Sequence, residues 1–176
     1  HNRAVPYPYL READMMWSVR HWERIYTKEK INLTLYYPEV ELPDRKSLFK
    51  VMIDGILNEN TITEVFDDDR FTRPLTTEEV QKIIMSLDTI RDPDDPSIIL
   101  ATDTNRIRPK DVIAWDIKSD WYFDKQRGEM KNRIIGIAPR VRDKNGDVYN
   151  LFWVWFPDAR YAFSTHIVYN THNNNA

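Results

Sequence analysis

Acidic clusters are the residues of this chain whose types and spacing come nearest to a metal-binding site. Three consecutive aspartates at 67–69 could ligate a hard cation through carboxylate oxygens, and Asp92, Asp94 and Asp95 form a similar group interleaved with prolines. Adjacent side chains seldom all point at one ion, however, and no further ligands follow at a fixed spacing. Both groups are interpreted as solvated loops, and no metal or other cofactor is predicted.

A third acidic group has the alternation of a calcium loop. Asp143, Asn145 and Asp147 alternate along the chain, but the glycine does not stand where an EF-hand requires it, and the distant bidentate glutamate is missing. The Asn145–Gly146 pair is instead typical of a tight type I′ turn, which needs positive φ. These residues therefore predict a β-hairpin.

Catalytic motifs are not found in the sequence. His21, His166 and His172 have no repeating ligand spacing, HExxH and G-x-S-x-G are absent, and four glycines form neither phosphate-loop fingerprint. No catalytic residue is assigned, and the protein is predicted not to be an enzyme. A hydrolase that uses His166 with an aspartate stays open as an alternative, because the members of a triad are distant in sequence.

Aromatic residues are the more informative set. The chain has six Trp and nine Tyr in 176 residues, and side chains with an apolar body and a polar tip are favoured at protein interfaces. This composition favours an interaction module over an enzyme. A glycan or peptidoglycan binder that uses the rings as stacking platforms is the other alternative. The candidate partner-binding residues are Trp17, Trp22, Tyr36, Tyr37, Trp153 and Trp155.

Length and charge set broad limits. A chain of 176 residues fits one domain, and 25 Lys and Arg against 28 Asp and Glu argue against a nucleic-acid binder. No cysteine is present, and no apolar run approaches the length of a membrane span. The predicted organisation is an extended arm at 1–9, one α+β domain at 10–170 and a disordered tail at 171–176. Because the chain opens at His1, it is expected to be a mature or trimmed form.

The stretch from Asp111 to Pro157 is predicted to form the centre of the fold. Alternation in 113–123, an apolar run at 134–138 and an aromatic segment at 148–156 indicate a three-stranded antiparallel meander. In the last strand both faces are apolar, so both must be covered. Either the chain's own elements cover them, or one face docks a partner. The mixed charges at 124–127 predict salt bridges in the turn between the first two strands. Alternatively, Asp124 and Arg127 pair bidentately and lock this turn.

Three main helices are predicted to pack on this meander. The first covers 10–28, with an apolar stripe through Met15, Val19, Trp22 and Tyr26. The second covers 47–58, with Ser47 as its N-cap. The third starts at Thr76 with a Thr76–Glu79 capping box and a buried stripe at Val80, Ile83, Ile84 and Leu87. Short strands are expected at 31–37, 62–66 and 98–100, and a last helical turn after an N-cap at Asp158.

Several longer segments carry a resemblance to a known family. Their order and spacing over about Tyr7 to His172 resemble the GldN/PorN family of the type IX secretion system, and its PorN members more than its gliding homologues. Thr34 departs from the proline expected at that position. The family also often continues beyond this point, so a truncation is expected. The segments are MMWSVRHWERIYTKEKINLTLYYP, SLFKVMIDGILNENTIT, FTRPLTTEEV, WYFDKQRGEMKNRIIGIAP and LFWVWFPDAR.

The resemblance implies a structural, non-enzymatic role in protein secretion. It implies a periplasmic protein that associates with the outer membrane through a PorK/GldK-like lipoprotein, with which it builds a ring. It also implies a contact with the periplasmic domain of a PorM/GldM-like motor protein and self-association within the ring. No catalytic motif is carried over from the family, and no partner contact is placed on a particular residue by it.

Overall fold

The structure is a computed structural model, and it describes residues 15–26, 45–157, 159–160 and 163. For residues 15–17 and 45–47 only the backbone is described. The elements in chain order are β1 (Met15–Tyr26), α1 (Arg45–Leu57), β2 (Val65–Phe66), α2 (Thr77–Ile84), β3 (Met85–Arg91), β4 (Ile99–Arg106), β5 (Val112–Asp124), β6 (Glu129–Arg142), β7 (Val148–Asn150) and β8 (Trp153–Trp155).

Antiparallel pairing organises most of these elements. The main sheet has the order β1-β5-β6-β8-β2, with β7 paired to β6, and β3 and β4 form a separate two-stranded hairpin. The predicted meander is confirmed by the β5–β6 and β6–β7–β8 pairings. The predicted last strand at 148–156 is split, however, because Leu151 and Phe152 interrupt the ladder between β7 and β8. Two α-helices accompany the sheets in the described residues, so the α+β class is mostly β.

The hairpin between β6 and β7 is confirmed, but its predicted turn type is wrong. Gly146 has φ 85°, and its N–H donates to the Asp143 carbonyl at 3.1 Å. A type I′ turn needs positive φ at two central residues, and Asn145 is not among the positive-φ residues. The connection is a type I turn closed by a left-handed glycine, and Asp143 Oδ1 accepts the N–H groups of Asn145 and Asp147 at 2.8 and 2.9 Å.

The predicted first helix is wrong where it is described, because residues 15–26 form β1. This strand pairs antiparallel with β5, so that Arg20, Trp22 and Arg24 lie opposite Asp120, Lys118 and Asp116. Val, Trp, Ile and Tyr favour strands, and the segment alternates with period 2 as well as it fits a helical stripe. The prediction of three main helices is therefore wrong as well.

The two helices pack on one side of the sheet. In α1, the predicted apolar face is buried, but the helix begins at Arg45, so Ser47 lies inside it and is not the N-cap. In α2, the predicted capping box is confirmed, since Glu79 N–H donates to Thr76 Oγ1 at 3.2 Å. The helix ends at Ile84, and Leu87, predicted in its buried stripe, lies on β3 with 67% of its surface exposed.

One apolar core lies between the helices and the sheet. Trp115, Ile117, Ile137 and Val154 from the sheet are fully or almost fully buried there. The short strand predicted at 62–66 is confirmed only at Val65–Phe66, and the one at 98–100 is longer, from Ile99 to Arg106. Most buried members of the core are contributed by α1, α2 and strands β5, β6 and β8: Leu48, Phe49, Val51, Met52, Ile56, Val80, Ile84, Val112, Trp115, Ile117, Ile134, Ile137, Val141 and Val154.

Some predicted elements lie outside the described residues. These are the extended N-terminal segment at 1–9, the strand at 31–37, the N-cap at Asp158 and the tail at 171–176. Of the predicted last helical turn, Ala159 and Phe163 are helical and buried. The Phe163 ring stacks on Phe156 at 5.9 Å, which ties this segment to the end of β8.

Candidate interaction surface

The face of the main sheet opposite the core carries a continuous row of four register partners. Trp22 of β1 pairs with Lys118 of β5, Lys118 with Gly136 of β6, and Gly136 with Trp155 of β8. Register partners stand opposite one another on neighbouring strands, and side chains alternate between the two faces of a strand. The four residues therefore lie on the same face of the sheet. We call this face of the sheet the outer face.

Ion pairs flank this row on both sides. Arg20 Nε lies 2.6 Å from Asp120 Oδ1, and Arg24 donates to both carboxylate oxygens of Asp116 at 2.8 and 3.2 Å. In each case the two residues are direct cross-strand partners. The order Arg-Trp-Arg on β1 therefore matches Asp-Lys-Asp on β5, and a one-residue slip of register would break all three contacts.

A loop between β2 and α2, residues 67–73, covers the row, and we call it the capping loop. Trp22 Nε1 donates to Asp69 Oδ2 at 3.0 Å, and Lys118 Nζ donates to the Asp69 carbonyl. The Lys118 ammonium also lies 5.4 Å from the Trp22 ring centroid and 5.3 Å from that of Phe71. Only 6% of Lys118 is exposed. Burial lowers the pKa of Lys118, while the nearby Asp69 carboxylate acts to raise it.

Phe71 is the apolar anchor of the capping loop. Its ring makes edge contacts with Trp155 at 4.9 Å, Phe66 at 5.4 Å and Trp153 at 6.5 Å between centroids. Its backbone has φ 55°, a left-handed conformation that is costly for a bulky residue. Packing against three aromatic rings must offset this strain, so the loop is held in place by Phe71.

Two clefts of opposite charge flank the capping loop. The basic cleft, about 570 Å³, is lined by Arg20, Arg70, Lys118 and Arg133 with one carboxylate, Asp120, and has apolar walls. The acidic cleft, about 550 Å³, brings four aspartates beside two indole rings. It is lined by Trp22, Glu23, Arg24, Asp67, Asp68, Asp69, Asp116, Asn150 and Trp153.

The two acidic clusters, at 67–69 and at 92–95, lie in loops, as predicted. Asp67 pairs with Arg73 at 3.3 Å, Asp68 accepts the Arg70 N–H, and Asp69 accepts the Trp22 indole, so the three carboxylates turn to different partners. Within the described part of the chain, no three His, Asp or Glu side chains are grouped so that they could hold a metal ion.

The aspartates at 92–95 accept hydrogen bonds within their own turn. Asp92 Oδ1 accepts the Asp94 N–H at 2.9 Å, and Asp95 Oδ1 accepts the N–H and hydroxyl of Ser97 at 3.1 and 2.6 Å. The exposed Asp95 carboxyl consequently has a pKa below its usual value, chiefly because of the Ser97 hydroxyl.

The salt bridge predicted in the turn after β5 is present, but the bidentate alternative is wrong. Arg127 Nε lies 3.9 Å from Asp124 Oδ2, which is a single long ion pair and not a bidentate one. The buried Asp124 carboxylate instead accepts the backbone N–H groups of Gln126 and Arg127 at 3.0 and 3.3 Å. Backbone hydrogen bonds to this carboxylate therefore close the turn.

The predicted partner-binding residues separate into exposed and buried ones. Trp22 is 55% exposed at the mouth of the acidic cleft, Trp155 is half-buried against Phe71, and Trp153 is only 7% exposed. The structure thus joins Trp22, Trp153 and Trp155 through the capping loop. Trp17 lies on β1, where its side chain is not described. Tyr36 and Tyr37, with His166 and His172, lie outside the described residues.

The hairpin of β3 and β4, which we call the arm, was not predicted as an interaction surface. Nearly every residue from 85 to 106 is exposed. Only its strand at 98–100 was predicted, and the placement of Leu87 in a helix hid the strand opposite it. The arm carries six of the exposed large apolar side chains: Met85, Leu87, Ile90, Ile98, Ile99 and Leu100.

The sequence matches the model of a known protein family. A family model described as "Gliding motility associated protein GldN" matches residues 10–176. The comparison with curated proteins finds no match. None of the helices in the described ranges is long and apolar enough to cross a membrane.

Proposed function

Since the chain belongs to the GldN family of gliding motility associated proteins, we propose that it is a non-enzymatic structural component of the type IX secretion system. In this role it is periplasmic and builds a ring with a PorK/GldK-like outer-membrane lipoprotein, which holds it at that membrane. It also contacts the periplasmic domain of a PorM/GldM-like motor protein. The family match over residues 10–176 is the observation that carries this proposal.

The distribution of apolar surface supports a role in assembly. Leu87, Ile90, Ile99 and Leu100 are 53–67% exposed on an arm that the rest of the described chain hardly covers. Large exposed apolar patches mark interaction sites, and a two-stranded hairpin is at best marginally stable alone in water. A partner that covers the arm would stabilise it and remove this surface from water.

The outer face supports the same role in another way. Trp153 is packed against Phe71 of the capping loop and is only 7% exposed, so it stiffens the main sheet and does not present a free docking face. Arg24 and Asp116 tie β1 to β5 through two hydrogen bonds, and the burial of Lys118 limits local opening of the sheet. A component that transmits force between neighbours needs such a rigid body.

Co-purification tests this proposal directly. The chain and the soluble part of the PorK/GldK-like lipoprotein are mixed at tens of micromolar, and light scattering gives the mass of the eluted species. We expect a stoichiometric complex much heavier than either separate protein. If both proteins elute as unchanged monomers, the direct contact with the lipoprotein is wrong.

A glycan-binding module is the second candidate function. The exposed ring of Trp22 stands beside Asp67, Asp69 and Asp116 in the acidic cleft. An aromatic ring beside carboxylates suits a sugar, which stacks on the ring and donates its hydroxyl groups to the oxygens. Soluble cell-wall fragments would then shift the tryptophan fluorescence of the wild type but not of Trp22→Ala. An unchanged wild-type spectrum excludes this function.

A further inference from the structure

The tip of the arm is acidic and apolar at once. The arm, residues 85–106, has five Asp against Arg91 and Arg106, and three of the five, Asp92, Asp94 and Asp95, lie in its tip. Ile98, Ile99 and Leu100 are 47–58% exposed directly after them. A surface of this kind fits a partner that offers cationic groups next to apolar walls.

The basic cleft offers this complementary chemistry. Four cationic side chains face one carboxylate there, and Phe71, Ile135, Trp155 and Pro157 form its apolar walls. Among the described residues, neither the Arg70 nor the Arg133 guanidinium has a carboxylate partner, whereas Arg20 is paired with Asp120. Two guanidinium groups are thus available for carboxylates that come from outside the described chain.

Geometry separates the tip from the cleft of its own chain. Lys144 Nζ holds the middle of the arm through Asp88 at 2.8 Å. Among the described residues that line the basic cleft, none comes from 85–106. The Asp92 and Asp95 carboxylates accept hydrogen bonds within the tip itself. The tip therefore lies outside the cleft of its own chain.

We propose that the tip of the arm of one copy, with Asp94 and Ile98–Leu100, docks into the basic cleft of a second copy of this chain. Two different surfaces meet in this contact, so it is heterologous, and a repeated heterologous contact closes into a ring when the rotation permits. The inference deepens the proposed ring role, on which its biological meaning rests, but the contact itself involves this chain alone.

Cysteine cross-linking tests the contact, because the chain has no cysteine of its own. Pro93→Cys labels the tip, and Thr72→Cys labels the capping loop beside Phe71. A mixture of the two full-length variants with a short bis-maleimide should give a covalent dimer. Lys50→Cys, which is exposed on α1 on the other side of the sheet, replaces Thr72→Cys as the control. Equal dimer yields from the Thr72 and Lys50 mixtures overturn the proposal.

Charge reversal identifies the groups that carry the contact. Arg70→Glu with Arg133→Glu in the Thr72→Cys chain should lower the dimer yield about tenfold, because two attractions become repulsions. Asp94→Arg in the Pro93→Cys chain should then restore it. Lys82→Glu with Lys125→Glu has the same charge change on exposed residues away from the cleft and should leave the yield unchanged. If the cleft and control reversals act alike, the cleft is not the docking site.

These results are separable from those of the lipoprotein experiment. A lipoprotein complex without cross-linking between tip and cleft leaves the ring component in place and overturns this contact. Cross-linking without a lipoprotein complex confirms the contact and overturns the direct lipoprotein association. Circular dichroism of each variant shows that a lost cross-link does not come from unfolding.

Discussion

Phe71 lies directly over Gly136, so closely that a Cβ built on the glycine would come within 2.4 Å of the Phe71 Cζ atom. Trp153 closes the same space, with its Cε3 atom 3.3 Å from that Cβ position. The absence of a side chain at Gly136 is therefore what lets the capping loop reach the sheet. The contact links Phe71 of the capping loop to Gly136 of β6, 65 residues later in the chain.

Gly136→Ala should destabilise the protein by about 1–3 kcal/mol, as overpacking of a close contact does. The Phe71 ring has to move, and it is held by Phe66 and Trp155. Urea unfolding of the variant measures the loss. In a Phe71→Ala background the same glycine change should cost little, because the clashing ring is gone. A penalty of the same size in both backgrounds would show that the ring is not its cause.

The left-handed backbone of Phe71 makes an unusual prediction about small substitutions. Phe71→Gly and Phe71→Ala both remove the ring, but only glycine adopts φ 55° without steric cost. Phe71→Gly should therefore be more stable than Phe71→Ala by about 1 kcal/mol. Urea unfolding compares the two. At an ordinary loop position the order is reversed, so a more stable alanine variant would contradict the strained conformation.

The two tryptophans of the acidic cleft should respond differently to truncation. Trp153→Ala should cost about 3–5 kcal/mol, the usual loss for a buried aromatic, since only 7% of Trp153 is exposed. Trp22→Ala should cost about 1 kcal/mol, because it loses mainly one hydrogen bond and the Lys118 contact. Thermal or urea unfolding of both variants measures this, and equal losses would be inconsistent with the described burial.

The meander could be predicted from the sequence, and β1 could not. In β5 to β8 the alternation, the Asn145–Gly146 turn and the aromatic strand all favour the same structure. In 15–26, Val19, Trp22 and Tyr26 fit a helical stripe while Arg20, Trp22 and Arg24 fit a strand face. The interaction that decides between them is the complementary row on β5, nearly 100 residues away, which local periodicity does not contain.

The candidate site was predicted only in part for the same reason. Both faces of the last strand were expected to be covered, and the structure assigns the cover of Trp153 and Trp155 to the chain's own capping loop. No sequence pattern marks Phe71 as that cover, because its role depends on a left-handed backbone and on the absence of a side chain at Gly136. The pairing of Asp69 with Trp22 likewise joins two distant segments.

Lys118 should make stability depend on alkaline pH. Burial lowers its pKa, so above the folded-state pKa the unfolded chain binds more protons than the folded one. Stability should consequently rise with pH until roughly pH 10.5, the ordinary lysine value. The unfolding free energy of the wild type relative to Lys118→Met should increase as the pH rises towards about 10.5. Lys50→Met, an exposed position, is the control. A decreasing difference would mean that the contacts with Asp69 and the two rings favour the charged form more than burial disfavours it.

Lys144 should govern how firmly the arm is held. Asp88 and Asp103 are direct cross-strand partners with like charge, which destabilises a strand pair, and Lys144 Nζ lies 2.8 and 3.8 Å from their carboxylates. The hydrogen bond to Asp88 raises the pKa of Lys144, so its charge is retained at neutral pH. Lys144→Glu should bring three negative charges together and speed amide exchange in β3 and β4.

Hydrogen-exchange mass spectrometry measures this effect segment by segment. Exchange in β5 and β6, which lie in the main sheet, should stay as in the wild type, and Lys125→Glu provides a matched charge change in the exposed turn after β5. Since the arm is a two-stranded hairpin with little cover, its protection depends on few contacts. If Lys144→Glu and Lys125→Glu give the same exchange in β3 and β4, Lys144 does not hold the arm.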